Sequence, residues 1–189
     1  RITLYFFLLM CSISAKAGYI LLPMDETTQQ NHLKAYGITY WALDKQYKVS
    51  WLLNYRGGSF LMPDADEIRK ECKIRGVSFE LMSDAETNVI LDEIASPSQN
   101  MENVVLERTP KVAVYTPKGK QPWDDAVTLV LTYAEIPFTP IYDEEVLSDK
   151  LLLYDWLHLH HEDFTGQYGK FFGAYKNVPW YIEQKKEAE

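Results

Sequence analysis

The strongest constraint on this chain is a rhythm. Short apolar or β-rich runs at residues 19–24 (YILLPM), 47–55 (YKVSWLLNY), 77–81 (VSFEL), 111–115 (KVAVY) and 138–142 (FTPIY) alternate with stretches whose apolar residues recur at helical spacing. Leu33, Tyr36, Gly37, Tyr40 and Trp41 mark one helix, opened by Thr27 with Gln30 three residues on. Ile68, Cys72 and Arg75 mark a second, started at Asp64 and Glu67 and stopped by Gly76. Val89, Ile90 and Ile94 mark a third, opened by Ser83 and Glu86; Trp123, Val127, Val130 and Ala134 mark a fourth. Strands alternating with helices of about ten to fifteen residues are joined by crossovers. The expected fold is therefore α/β, a mostly parallel sheet with helices on both faces.

The rhythm breaks once, between residues 96 and 110, in a Pro/Ser/Asn stretch, and restarts at Lys111. This divides the chain into an N-terminal α/β region, 18–108, and a second region, 109–189. Before residue 18 the sequence reads as processing rather than structure. An apolar run, residues 2–10, leads to Ala15-Lys16-Ala17, a small-x-small cleavage site, so residues 1–17 are expected to be a secretory signal peptide and the protein to be exported or periplasmic. That run is far shorter than the roughly 20 residues that span a bilayer, so no transmembrane segment is expected after cleavage. Cleavage removes Arg1 and Lys16, taking the net charge from −8 to −10. An acidic surface of this kind excludes nucleic acid and disfavours anionic lipid as partners. Cleavage also removes Cys11 and leaves Cys72 alone, so no disulfide or cysteine metal site can form within the chain; Cys72 is expected as a buried small hydrophobe.

The chemistry-bearing residues concentrate in residues 151–181, where nine aromatics surround three of the four histidines. A strand at residues 156–160 puts Trp156, His158 and His160 on one face and Leu157 and Leu159 on the other. His158, His160, His161, Glu162 and Asp163 suit substrate contact, or divalent-metal ligation in a metal-dependent hydrolase, and match no strong metal-site spacing. Residues 161–179, with Gly166, Gly169 and Gly173, read as a long aromatic loop forming one wall of a site. Asp25 follows the first strand, at the carboxyl edge where open α/β sheets bind ligands. Arg56, Gly57 and Gly58 follow the second and offer a guanidinium and backbone N–H groups to an anion. Lys118 to Lys120 lack a phosphate-loop pattern. No nucleophile stands out: there is no G-x-S-x-G elbow and no glycine-flanked cysteine. No cofactor is called for.

The runs LLPMDETTQQNHLKAYGITYWAL, WLLNYRGGSFLMPD, VAVYTPKGKQPWDDAVTLVLTYAEIP and LLLYDWLHLHHEDFTGQYGKF resemble an exported bacterial family often labelled asparagine synthetase B. The resemblance implies that a flavodoxin-like, class I glutamine amidotransferase-like domain begins near Lys111. It also implies that the cysteine nucleophile lies beyond Glu189. It carries over no site residue onto this chain. The expected function is that of the N-terminal part of an amidotransferase- or amidase-like protein, holding a small polar or cell-envelope ligand at the carboxyl edge of its sheet. The alternatives are a non-catalytic periplasmic binding or assembly module of the same fold, and the metal-dependent hydrolase.

Overall fold

The computed structural model describes residues 18–116, 126–159 and 167–188. The segment read as a signal peptide lies outside them, as do His160, His161, Glu162 and Asp163. The chain divides into two compact units: the described residues up to Pro110 together with Val130–Pro137, and Lys111–Leu129 together with Phe138–Glu189.

The first unit is built on a five-stranded sheet, β1 (Tyr19–Leu22), β2 (Val49–Leu53), β3 (Ser59–Pro63), β4 (Glu80–Met82) and β5 (Glu102–Leu106). Its order is β4-β1-β3-β2-β5, and every neighbouring pair is antiparallel. The expectation of a mostly parallel, flavodoxin-like sheet is therefore wrong, and the cause is local. Residues 59–63 (SFLMP) form a strand directly after the Arg56-Gly57-Gly58 turn, so β2 and β3 close a hairpin where a crossover was expected. Trp51 lies opposite Phe60 in that hairpin, with their rings stacked at 6.3 Å. Asn54, Arg56, Gly57 and Gly58 all take positive φ in the turn. The carbonyl of Met24 approaches Gly57 so closely that a Cβ there would collide with it, which leaves glycine as the residue that fits.

Helices cover both faces of this sheet. On one, Ile20, Leu22, Phe60 and Met62 pack with Ile38 of α1 (His32–Asp44) and with Ile68 and Cys72 of α2 (Asp66–Arg75). On the other, Leu21, Leu52 and Leu61 pack with Ile90 and Ile94 of α3 (Asp84–Ile94). Each such side chain contributes about 1.5–3 kcal/mol by leaving water. A strand buried on both faces is apolar along its whole length whichever way its neighbours run. That is why YILL and SFLMP carry the signature of parallel strands. The helix ends follow the sequence more closely. Ser83 and Glu86 form a reciprocal capping box at α3, and Gly76 ends α2 with φ 66°. At α1 the cap is Asn31, whose side chain accepts from the Lys34 N–H, and Thr27 instead donates its hydroxyl to Asp25.

The second unit holds three strands, β6 (Val112–Tyr115), β7 (Phe138–Ile141) and β8 (Trp156–Leu159), in the order β7-β6-β8. Both pairs are parallel. The connection from β6 to β7 contains α4 (Ala126–Ala134), and that from β7 to β8 contains α5 (Asp143–Leu147) and a 3-10 turn (Lys150–Leu153). Where a long aromatic loop was expected, residues 167–175 form α6 (Gln167–Tyr175), followed by α7 (Pro179–Ala188). Gly169 and Gly173 lie inside α6 with open space around them, so they do not break it. Rings from the two helices meet each other, Phe171 with Trp180 at 6.1 Å and Phe172 with Tyr181 at 6.2 Å. Among the described residues no helix is long and apolar enough to cross a membrane.

Candidate functional site

The sequence nominated two clusters, and their described members fall in different units. In the first unit Asp25, Arg56 and Gly57 come together. The Met24 N–H donates to the Arg56 carbonyl at 3.1 Å, and the Arg56 guanidinium reaches across the strand ends. Its Nε donates to Asp25 at 2.9 Å, Nη1 and Nη2 donate to the two Glu80 oxygens at 2.8 and 2.9 Å, and Nη2 also donates to the Thr28 hydroxyl at 3.2 Å. Four of the five guanidinium donors are thereby engaged, and the bidentate pair with Glu80 has the planar geometry that arginine forms best. Hydrogen bonds from Thr27 and Thr28, and then the Arg56 guanidinium, hold the Asp25 carboxyl well below the usual carboxylate range. Glu80 foremost, then Asp25, push Arg56 higher still, so its charge is permanent. This arrangement ties the ends of β1, β3 and β4 together. Gly58 serves the same turn, its carbonyl accepting from the Trp51 indole at 3.1 Å.

In the second unit the parallel strands bring their carboxyl ends to one edge: Tyr115 ends β6, Ile141 ends β7 and Leu159 ends β8. An open cavity of about 530 Å³ lies there, within the size range of small-ligand sites. Leu157 and Leu159 of β8 line one side, and Val146 and Leu147 of α5 with Leu151 of the 3-10 turn line the other. Among the described residues its polar groups are Tyr115 and Asp143. The Tyr115 hydroxyl donates to Asp143 Oδ1 at 2.6 Å, and the Tyr115 ring leans on Tyr142 at 5.2 Å. These contacts fix the phenol and leave the carboxylate with acceptor capacity for a further donor.

His158 stands on β8 opposite Val114, half-buried, between the two leucines that line the cavity. Strand alternation places it on the other face of the sheet. Among the described residues no group of three His, Cys, Asp or Glu side chains is placed to hold a metal ion. Cys72 is buried in the first unit, and burial pushes its thiol up to about 12, which removes it as a nucleophile.

The cavity residues were missed in the sequence for a reason that can be named. Leu157 and Leu159 carry only the signal of strand alternation, and α5 is a five-residue helix with no periodicity to detect. One clue was available: an aspartate immediately follows the strand at residues 138–142, in the same position relative to its strand as Asp25. Compared with known proteins, this chain matches no family model, no curated relative and no solved structure.

Proposed function

We propose that the second unit binds a small organic ligand at the carboxyl edge of its parallel sheet, as the ligand-holding part of an exported amidotransferase- or amidase-like protein. The observation that carries this reading is the cavity, with leucines on two sides and the Tyr115–Asp143 pair between them. Parallel sheets gather their strand ends, and the loops after them, on one side, which is where open α/β sheets hold ligands. The resemblance of residues 20–189 to the exported family labelled asparagine synthetase B supplies the amide chemistry and the location.

The test is a binding panel of L-glutamine, L-asparagine and small aliphatic amides and amines, read by ligand-observed NMR. The comparison protein is Leu157→Trp, which fills the cavity. Binding that Leu157→Trp abolishes is the expected result; binding that survives it puts the site elsewhere.

The second reading, a non-catalytic binding module, is favoured by one observation. None of the described residues lining the cavity is a serine, threonine or cysteine, and Cys72 is buried and protonated at neutral pH. On that reading the protein holds a ligand from the panel and releases no ammonia from glutamine. Release that tracks the Leu157→Trp substitution would restore the enzyme.

A further inference from the structure

The lining of the cavity is specific about the ligand's chemistry. Of the seven described side chains that line it, five are aliphatic and the other two are Tyr115 and Asp143. A ligand filling this space buries hydrocarbon against Val146, Leu147, Leu151, Leu157 and Leu159. Burial at such walls contributes about 0.8 kcal/mol for each methylene removed from water. A small, wholly polar molecule gains nothing from them. The polar end of the ligand is constrained as tightly, because the group that meets it is a carboxylate. Tyr115 already spends its hydroxyl proton on Asp143 Oδ1. What remains at that end is a negatively charged acceptor, which calls for a donor and preferably a cation.

The surroundings have the same sign. Asp143, Glu144 and Glu145 open α5 in succession. Against them stands Lys150, whose Nζ is 3.7 Å from Glu145 Oε1. Among the described residues no Lys or Arg lines the cavity. A ligand carboxylate brought to Asp143 would meet like charge, with no cation among the described lining residues to offset it. An ammonium would make a charge-assisted hydrogen bond, which is roughly twice as strong as a neutral one.

Resting on the assignment of this cavity as the binding site, we infer that its ligand is an amphiphilic amine: a primary ammonium seated on Asp143, carrying an aliphatic body that lies between Leu157, Leu159 and the α5 leucine. The inference is about recognition and adds no chemical step.

Hexylammonium, 1-hexanol and hexanoate share one chain and differ only in the polar end, so they separate the two halves of the inference. Titrated into the full chain and followed by ligand-observed NMR and calorimetry, hexylammonium is expected to bind about tenfold or more tighter than hexanol, the scale of a hydrogen bond to a charged group. Hexanoate is expected to show no saturable binding. Asp143→Asn should bring hexylammonium down to the affinity of hexanol and leave hexanol unchanged. The hexylammonium affinity should also weaken between low and high salt while that of hexanol does not. Hexanoate binding as well as hexylammonium, or Asp143→Asn leaving the order intact, overturns the amine. If L-glutamine binds in a manner abolished by Leu157→Trp while hexylammonium does not bind, the site stands and the amine fails. If Leu157→Trp affects no probe at all, the site fails and takes the amine with it. Because loosening of α5 in Asp143→Asn would mimic the loss, Tyr115→Phe serves as the second variant. It frees Asp143 from its phenol donor and should leave hexylammonium at least as tight as in the wild type, and a loss as large as that in Asp143→Asn overturns the inference.

Discussion

The two sheets of this chain use similar strands to opposite ends. In the first unit Leu52 sits at 0% exposure, packed with Ile90 and Ile94 of α3, and Ser59 opposite it on β3 is at 0% as well. Among the described residues of the second unit the middle strand is the most enclosed: Val112, Ala113 and Val114 of β6 are buried, while Trp156 on β8 is 47% exposed and Leu152, in the turn leading to it, is 87% exposed. A five-stranded sheet with helices on both faces closes its core, whereas a three-stranded one has two edges for a single interior strand and leaves apolar side chains at the surface. Closure gives the first unit its stability, and openness gives the second its cavity.

The sharpest way to break this comparison is a matched pair of leucines. Leu52→Ala removes a fully buried side chain from between β2 and α3 and is expected to cost about 2–5 kcal/mol, the range for core truncations that leave a cavity. Amide exchange should accelerate across β1, β2 and β3, because those strands share the core it opens. A cost below about 1 kcal/mol would mean that α3 does not seal that face.

A smaller effect separates the units by pH. Asp25 is held below its ordinary value of about 3.9 by Thr27, Thr28 and Arg56. A carboxyl depressed in the folded state contributes stability that is present above its unfolded value and is lost as pH falls toward the folded one. The thermal midpoint of the wild type should therefore exceed that of Asp25→Asn at about pH 6, and the gap should narrow steadily from about pH 4 downward. A gap that is constant with pH would show that the carboxylate charge contributes nothing and that Asn replaces it by hydrogen bonding alone.

Local signals were legible where local chemistry decides the outcome. The Ser83–Glu86 capping box, the left-handed Gly76 and the buried pair Ile68 and Cys72 were all readable, because each depends on residues within one or two turns. Strand direction was not. Apolar runs such as YILL and SFLMP report burial on two faces and say nothing about which way the partner runs; the one local cue was the Gly57-Gly58 turn, which marks a hairpin only when SFLMP is recognised as a strand. The cavity was the least legible feature, since Tyr115, Asp143 and Leu157 meet only through the parallel pairing of β6 with β7 and β8.

The smallest expected effect is also the one that tests the open side of the comparison. Leu152 lies in the 3-10 turn with its N–H donating to the Asp149 carbonyl at 3.3 Å, a bond that alanine keeps. Its side chain is almost wholly in water, so Leu152→Ala loses little burial and leaves no cavity, and the cost should stay within about 0.5 kcal/mol. The same deletion of atoms would then separate the two units by several kcal/mol, and exposure alone would account for the difference. A measured cost above about 1 kcal/mol could not come from the packing around Leu152 in the isolated chain. It would mean that the leucine is covered in solution and that the open side of the second unit is closed by a partner. Sedimentation of the wild type and of Leu152→Ala, expected to show the same mass for both, would then reveal that partner as a second copy lost on substitution.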